Sequence, residues 1–97
     1  MAGDGPEARI VRVPAFLPGY AAITIGRYIF VRRDLAHDRQ LIDHELVHVR
    51  QWHEHGAFHF VTRYVGSYLR NRRHGMGHWA AYRAIPYERE ARRIAGR

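Results

Sequence analysis

Between Asp38 and Gly56 the chain contains no glycine or proline, and its apolar residues return every three or four positions. That is the period of an α-helix, so the stretch is predicted to be one. Asp38 is of the residue type that caps a helix start, and Gly56 can take up the backbone conformation that stops one. At 100° per residue, Leu41, His44, Glu45, His48 and Trp52 share one sector, with Ile42, Leu46 and Val49 beside it. Asp43, Arg50, Gln51 and Glu54 are assigned to the opposite, solvated side. Such a helix has to pack its apolar flank on something and carries its histidines along one edge.

The remaining sequence supplies partners for that flank. Ile10, Val11 and Val13 predict a short strand ended by Pro14. Tyr20 to Ile25 and Tyr28 to Arg32 are rich in β-branched and aromatic residues. Gly26-Arg27 between them fits a type II′ turn, so they predict a hairpin. Phe60, Val61, Tyr64, Val65, Tyr68 and Leu69 recur at helical spacing and predict a second helix from about Phe58 to Arg72, packed on the core. Gly75 and Gly77 break the pattern, a short helical segment follows at Trp79 to Arg83, and Pro86 opens a last helix to about Ala95. The expected fold class is α+β, a small N-terminal antiparallel hairpin or sheet followed by three helices in a single domain over 1–97, with 1–8 expected to be frayed.

His44-Glu45-Leu46-Val47-His48 is an HExxH arrangement. Side chains at i and i+4 stand about 5–6 Å apart, from which two imidazole nitrogens can each reach one ion at roughly 2.0–2.1 Å. Glu45 lies beside the two histidines but not in line with them, so it can touch a water at the ion without ligating the ion. His55/His59 and His74/His78 share the spacing, but glycines interrupt both pairs and neither has the glutamate. The chain has no cysteine, so any ion must be held by histidine and carboxylate.

A catalytic zinc takes a third protein ligand. The extended motif with a third histidine six residues after the second is absent, because Gln51 and Glu54 occupy its glycine and histidine places. No aspartate follows Asp43, and Glu54 points away on its own helix, which leaves Glu88 or Glu90 on the last helix, or His78. Glu88 and Glu90 lie about 160° apart there, so one at most can face the ion.

HExxH, an intervening helix and a glutamate on a later helix resemble the gluzincin branch of the zincin metallopeptidases, in a near-minimal form covering roughly residues 20 to 95. Several families of that branch carry the third ligand in a Glu-x-x-Ala-Asp type segment. Glu88-Arg89-Glu90-Ala91-Arg92 matches it up to Arg92, which replaces the acidic residue. The resemblance implies a Zn2+ site of His44, His48 and Glu88, with Glu45 as the general base of peptide-bond hydrolysis. It further implies a peptide or protein substrate added as a strand alongside Tyr20 to Arg32. Tyr82 and His78 are candidates to stabilise the oxyanion.

At 97 residues the core is small, and a bound ion that ties the two halves together would supplement it. A formal charge of +7 is concentrated at Arg70, Arg72 and Arg73 and at Arg89, Arg92, Arg93 and Arg97. Such clusters attract polyanions non-specifically, but no nucleic-acid recognition motif accompanies them, and no specific nucleic-acid partner is expected. No apolar run is long enough to span a membrane and Met1 to Glu7 lack the pattern of a signal peptide, so cytoplasmic residence is expected. The alternative to a peptidase is a basic binding module in which zinc is purely structural, completed by a fourth ligand such as His78.

Overall fold

A computed structural model describes residues 7–14 and 19–97. Three strands, β1 (Arg9–Val13), β2 (Ala22–Ile25) and β3 (Tyr28–Arg32), are followed by a 3-10 turn at Arg33–Leu35 and by the helices α1 (Arg39–His55), α2 (Ala57–Arg73), α3 (His78–Arg83) and α4 (Pro86–Ala95). The fold is the small α+β arrangement that the sequence predicts. The fraying expected for 1–8 falls, up to residue 6, outside the described residues.

The hairpin forms where Gly26-Arg27 predicts it. Gly26 has φ 63°, which suits the first central position of a type II′ turn and which a side chain would strain. β2 and β3 pair antiparallel with Ala22 opposite Val31 and Thr24 opposite Ile29. The sheet is nevertheless not wholly antiparallel. β1 joins the far side of β3 in parallel, giving the order β1-β3-β2 and leaving β2 at an edge.

Alternation sends Ala22, Ile29 and Val31 to one face, where they meet Leu41 and Val49 of α1 in the buried core. Ile29 and Val31 are completely buried, each contributing roughly 1.5–3 kcal/mol. α1 begins as predicted: the Asp38 carboxylate accepts from Leu41 N at 3.2 Å. It ends at Gly56, whose φ of 80° turns the chain directly into α2.

α2 departs from expectation. Phe60 is its one buried residue, whereas Val61, Val65 and Leu69 of the predicted core stripe are 41%, 46% and 53% exposed. The reason is geometric: Phe60 and Tyr64 turn toward α1 and α4, and the neighbouring sector that holds Val61 and Val65 borders a cleft instead of a packed layer. α3 is tied to α2 by Asn71 Nδ2, which donates to the Ala81 carbonyl at 3.0 Å. Ala81 and Ala91 are fully buried on α3 and α4, small side chains that let the helices approach closely. None of the described helices is long and apolar enough to cross a membrane.

Candidate metal centre

α1 presents His44, Glu45 and His48 on its inner face, and all three are buried. Each offers a potential ligand atom, and these atoms lie within 4.8 Å of one another. α4 brings the fourth group. The Glu88 carboxylate sits with Oε1 3.0 Å from His44 Nε2 and Oε2 3.0 Å from His48 Nε2, and Glu88 itself is only 2% exposed. Of the three sequence candidates for third ligand, Glu88 alone meets both imidazoles. Glu90 instead accepts from Gln51 Nε2 at 2.7 Å. His78 lies between two tyrosine hydroxyls, Tyr20 at 3.2 Å from Nε2 and Tyr68 at 2.8 Å from Nδ1.

The outer nitrogens of both rings have partners. His44 Nδ1 is 2.6 Å from the main-chain oxygen of Arg97. That oxygen can only accept, so Nδ1 carries the proton and, in the neutral ring, Nε2 carries a lone pair facing Glu88. The position held by an acid in the Glu-x-x-Ala-Asp type segment is here Arg92, which donates to the Arg83 carbonyl at 2.6 Å. The Arg97 main chain thus supplies the acceptor for His44. His48 Nδ1 lies 2.8 Å from Gln51 Oε1. Its Nε2, though near Glu88, is misaligned for a hydrogen bond and is a buried nitrogen with no hydrogen-bond partner.

Two ring nitrogens and a carboxylate aimed at one another fit a cation between them. Ligand atoms at about 2.0–2.2 Å from zinc on tetrahedral corners are separated by roughly 3.3–3.6 Å. The observed 3.0 Å separations need open by only a few tenths of an ångström. The donor set is histidine nitrogen and carboxylate oxygen, which suits zinc.

The electrostatics follow from burial and contact. Burial alone would raise the Glu88 pKa, but the close approach of His44 and His48 and the hydrogen bond from Tyr64 outweigh it and hold it far below the usual carboxylate range. Burial alone would depress His48, and the Glu88 and Glu45 carboxylates outweigh it, leaving its pKa raised. Glu45 is raised: its burial exceeds the pull of His48, of the Thr24 hydroxyl and of His44. Thr24 Oγ1 donates to Glu45 Oε1 at 2.7 Å, so β2 orients the carboxylate. Tyr64 donates a short hydrogen bond to Glu88 Oε2. Tyr82 is pushed well above the usual phenol range by burial and by the Glu88 and Glu45 charges, and it lines a cavity together with Glu45 and Glu88.

That cavity has a volume of about 470 Å³ and opens beside Glu45, His48 and Glu88. One wall is the β2 edge at Ala22 to Thr24, and the other is Trp52, Phe60 and Val61. His37, His53, His55, His59 and His74 are all exposed. Arg70, Arg72 and Arg73 are exposed as well, whereas Arg92 and Arg97 are engaged within the fold.

Gln51 departs from expectation: periodicity puts it on the solvated back of α1, yet it is 2% exposed. Position 51 is seven residues after His44, and two helical turns bring it back to within about 20° of that histidine, which was the available signal.

Residues 18–56 match the model of a family described as the eCIS core domain, the core of an extracellular contractile injection system. The matched segment is less than half of the chain; it takes in β2, β3 and α1 with His44, Glu45 and His48, and stops well before Glu88. That description names no reaction. No significant match was found among curated proteins or solved structures.

Proposed function

We propose that this protein is a zinc-dependent peptidase, with His44, His48 and Glu88 as the metal ligands and Glu45 as the general base. The observation that carries the reading is the convergence of two imidazole Nε2 atoms, from rings whose outer nitrogens are engaged, on a buried carboxylate 40 or more positions away. A zinc ion held there supplies Lewis acidity, polarising a carbonyl oxygen and acidifying a nearby water.

The chain's own residues do the rest. Glu45, held by Thr24 and with its pKa raised by burial, takes a proton from the attacking water and returns it to the departing amine nitrogen as the peptide C–N bond breaks. Among the described residues β2 pairs with β3 on one side only, so its outer edge can receive an extended peptide as a further strand along the cavity. The Trp52, Phe60 and Val61 wall would then bury apolar side chains of that peptide. Tyr82, whose hydroxyl stays protonated, can donate to the carbonyl oxygen as negative charge develops on it.

Zinc content and peptide hydrolysis are measured for the wild type and for Glu45→Gln. We expect zinc to be retained and hydrolysis to fall by roughly 10²–10⁴-fold, the usual contribution of a general base. Glu45 also lies within 4.8 Å of both histidine donors. Loss of zinc from Glu45→Gln would therefore make it a fourth ligand and favour a structural metal in a binding module. A wild type that binds no zinc ends both readings.

A further inference from the structure

Gln51 is among the largest fully buried side chains of the protein, and every polar atom of its amide is used. Two oxygens lie on one side of the amide, the Tyr87 carbonyl at 3.1 Å and Glu90 Oε1 at 2.7 Å. Both can only accept, so the NH2 group must face them. The amide orientation is thereby settled by its surroundings, and Oε1 must face His48 Nδ1 at 2.8 Å. An amide oxygen cannot donate. His48 Nδ1 therefore carries the proton, and Nε2 of the neutral ring is left with its lone pair toward Glu88.

We infer that Gln51 is a positioning residue for the metal centre, holding His48 in the tautomer that leaves Nε2 free to ligate and relaying that choice from α4 through Tyr87 and Glu90. The inference rests on the zinc reading above. It gives Glu90 a place in the site that is not ligation: its carboxylate fixes the amide that fixes the imidazole. Among the hydrogen bonds of the described residues, Gln51 is what joins the His48 ring to α4. Outer partners of this type typically change metal affinity 10–100-fold when removed.

The test uses zinc affinity, by competition with a chelator, and the protonated ring nitrogen of His48 in the zinc-loaded protein, by nitrogen-15 NMR of histidine. Gln51→Met keeps the side-chain length but removes the acceptor, and we expect zinc affinity to fall about 10–100-fold. In the zinc-loaded wild type the His48 ring is expected to carry its proton on Nδ1, opposite Gln51 Oε1. A wild type that binds zinc, together with a Gln51→Met protein that binds it equally well, overturns the assignment while leaving the peptidase reading intact. Should Gln51→Met fail to fold, the wild type decides: a zinc-loaded protein whose His48 carries its proton on Nε2 also overturns the assignment. A wild type without zinc affinity is instead a failure of the reading beneath.

Discussion

Glu88 Oε1 lies 3.0 Å from His44 Nε2, across 44 positions of sequence. The contact joins α1 to α4, and the other oxygen of the same carboxylate reaches His48. Without an ion the contact is attractive when the imidazoles carry a proton toward the carboxylate; under the proposed zinc reading the same three groups would be the ligands. Glu88→Gln is therefore expected to abolish tight zinc binding, whereas Glu90→Gln should leave it within a small factor. Metal content after dialysis against a weak chelator distinguishes them, and the opposite pattern would exchange the roles of the two glutamates.

Under that reading zinc should stabilise the fold strongly, since the proposed ligands come from both halves of the chain. At free zinc 100 times its dissociation constant the gain is about 2.7 kcal/mol, which for a domain this small corresponds to roughly 10–20 °C in Tm. Thermal melts with and without zinc check this, and a Glu88→Gln protein should show almost no shift.

The metal-free protein should be most stable in mildly acidic solution. The folded-state pKa of Glu88 is depressed, so its contribution is complete above the unfolded value of 4.5 and drains away as pH falls through the folded pKa. The His48 pKa is raised, so its contribution is complete below 6.5 and is lost as pH rises through the folded pKa. Both shifts describe one attraction, counted once. Glu45, raised by burial, adds to the loss as pH rises, so stability should peak toward the acid end of the window between about pH 4.5 and 6.5 and decline on either side, as read by denaturant titration across pH. With zinc present the alkaline decline should disappear, because a ligating imidazole must be neutral.

Thr24→Val removes the hydroxyl that donates to Glu45. That hydrogen bond lowers the Glu45 pKa against the effect of burial. Its loss should raise the pKa further and move the acid limb of the pH–rate profile to higher pH, with zinc affinity unchanged. A profile that does not move would mean that Glu45 is not the titrating base.

Tyr64→Phe removes the donor to Glu88 Oε2. A hydrogen bond to a buried charge is worth about 1.5–3 kcal/mol, so the denaturation midpoint of the metal-free protein should fall accordingly. The Glu88 pKa should rise at the same time, shifting the acid decline of stability toward neutral pH.

Much of the fold could be read from local chemistry. Asp38 and Gly56 bound α1 because a cap and a positive-φ glycine act on their own neighbours, and Gly26 closes the hairpin for the same reason. Periodicity sorted His44 and His48 onto one edge but failed for Val61 and Val65, because an apolar stripe does not say whether it meets a packed layer or a cleft. The parallel addition of β1 was equally hidden, since strand pairing depends on the path of the chain between strands.

By itself the sequence determined the pair His44 and His48 with Glu45 beside them, because one turn of helix is a local geometry set by the backbone. Only the tertiary structure decided between Glu88, Glu90 and His78, bringing the first to both imidazoles, the second to Gln51 and the third to two tyrosines. It also decided what orients the rings, an Arg97 main-chain oxygen and a Gln51 amide. Those contacts depend on how α4 and the residues after it lie across α1, and that is set by packing rather than by any spacing along the chain.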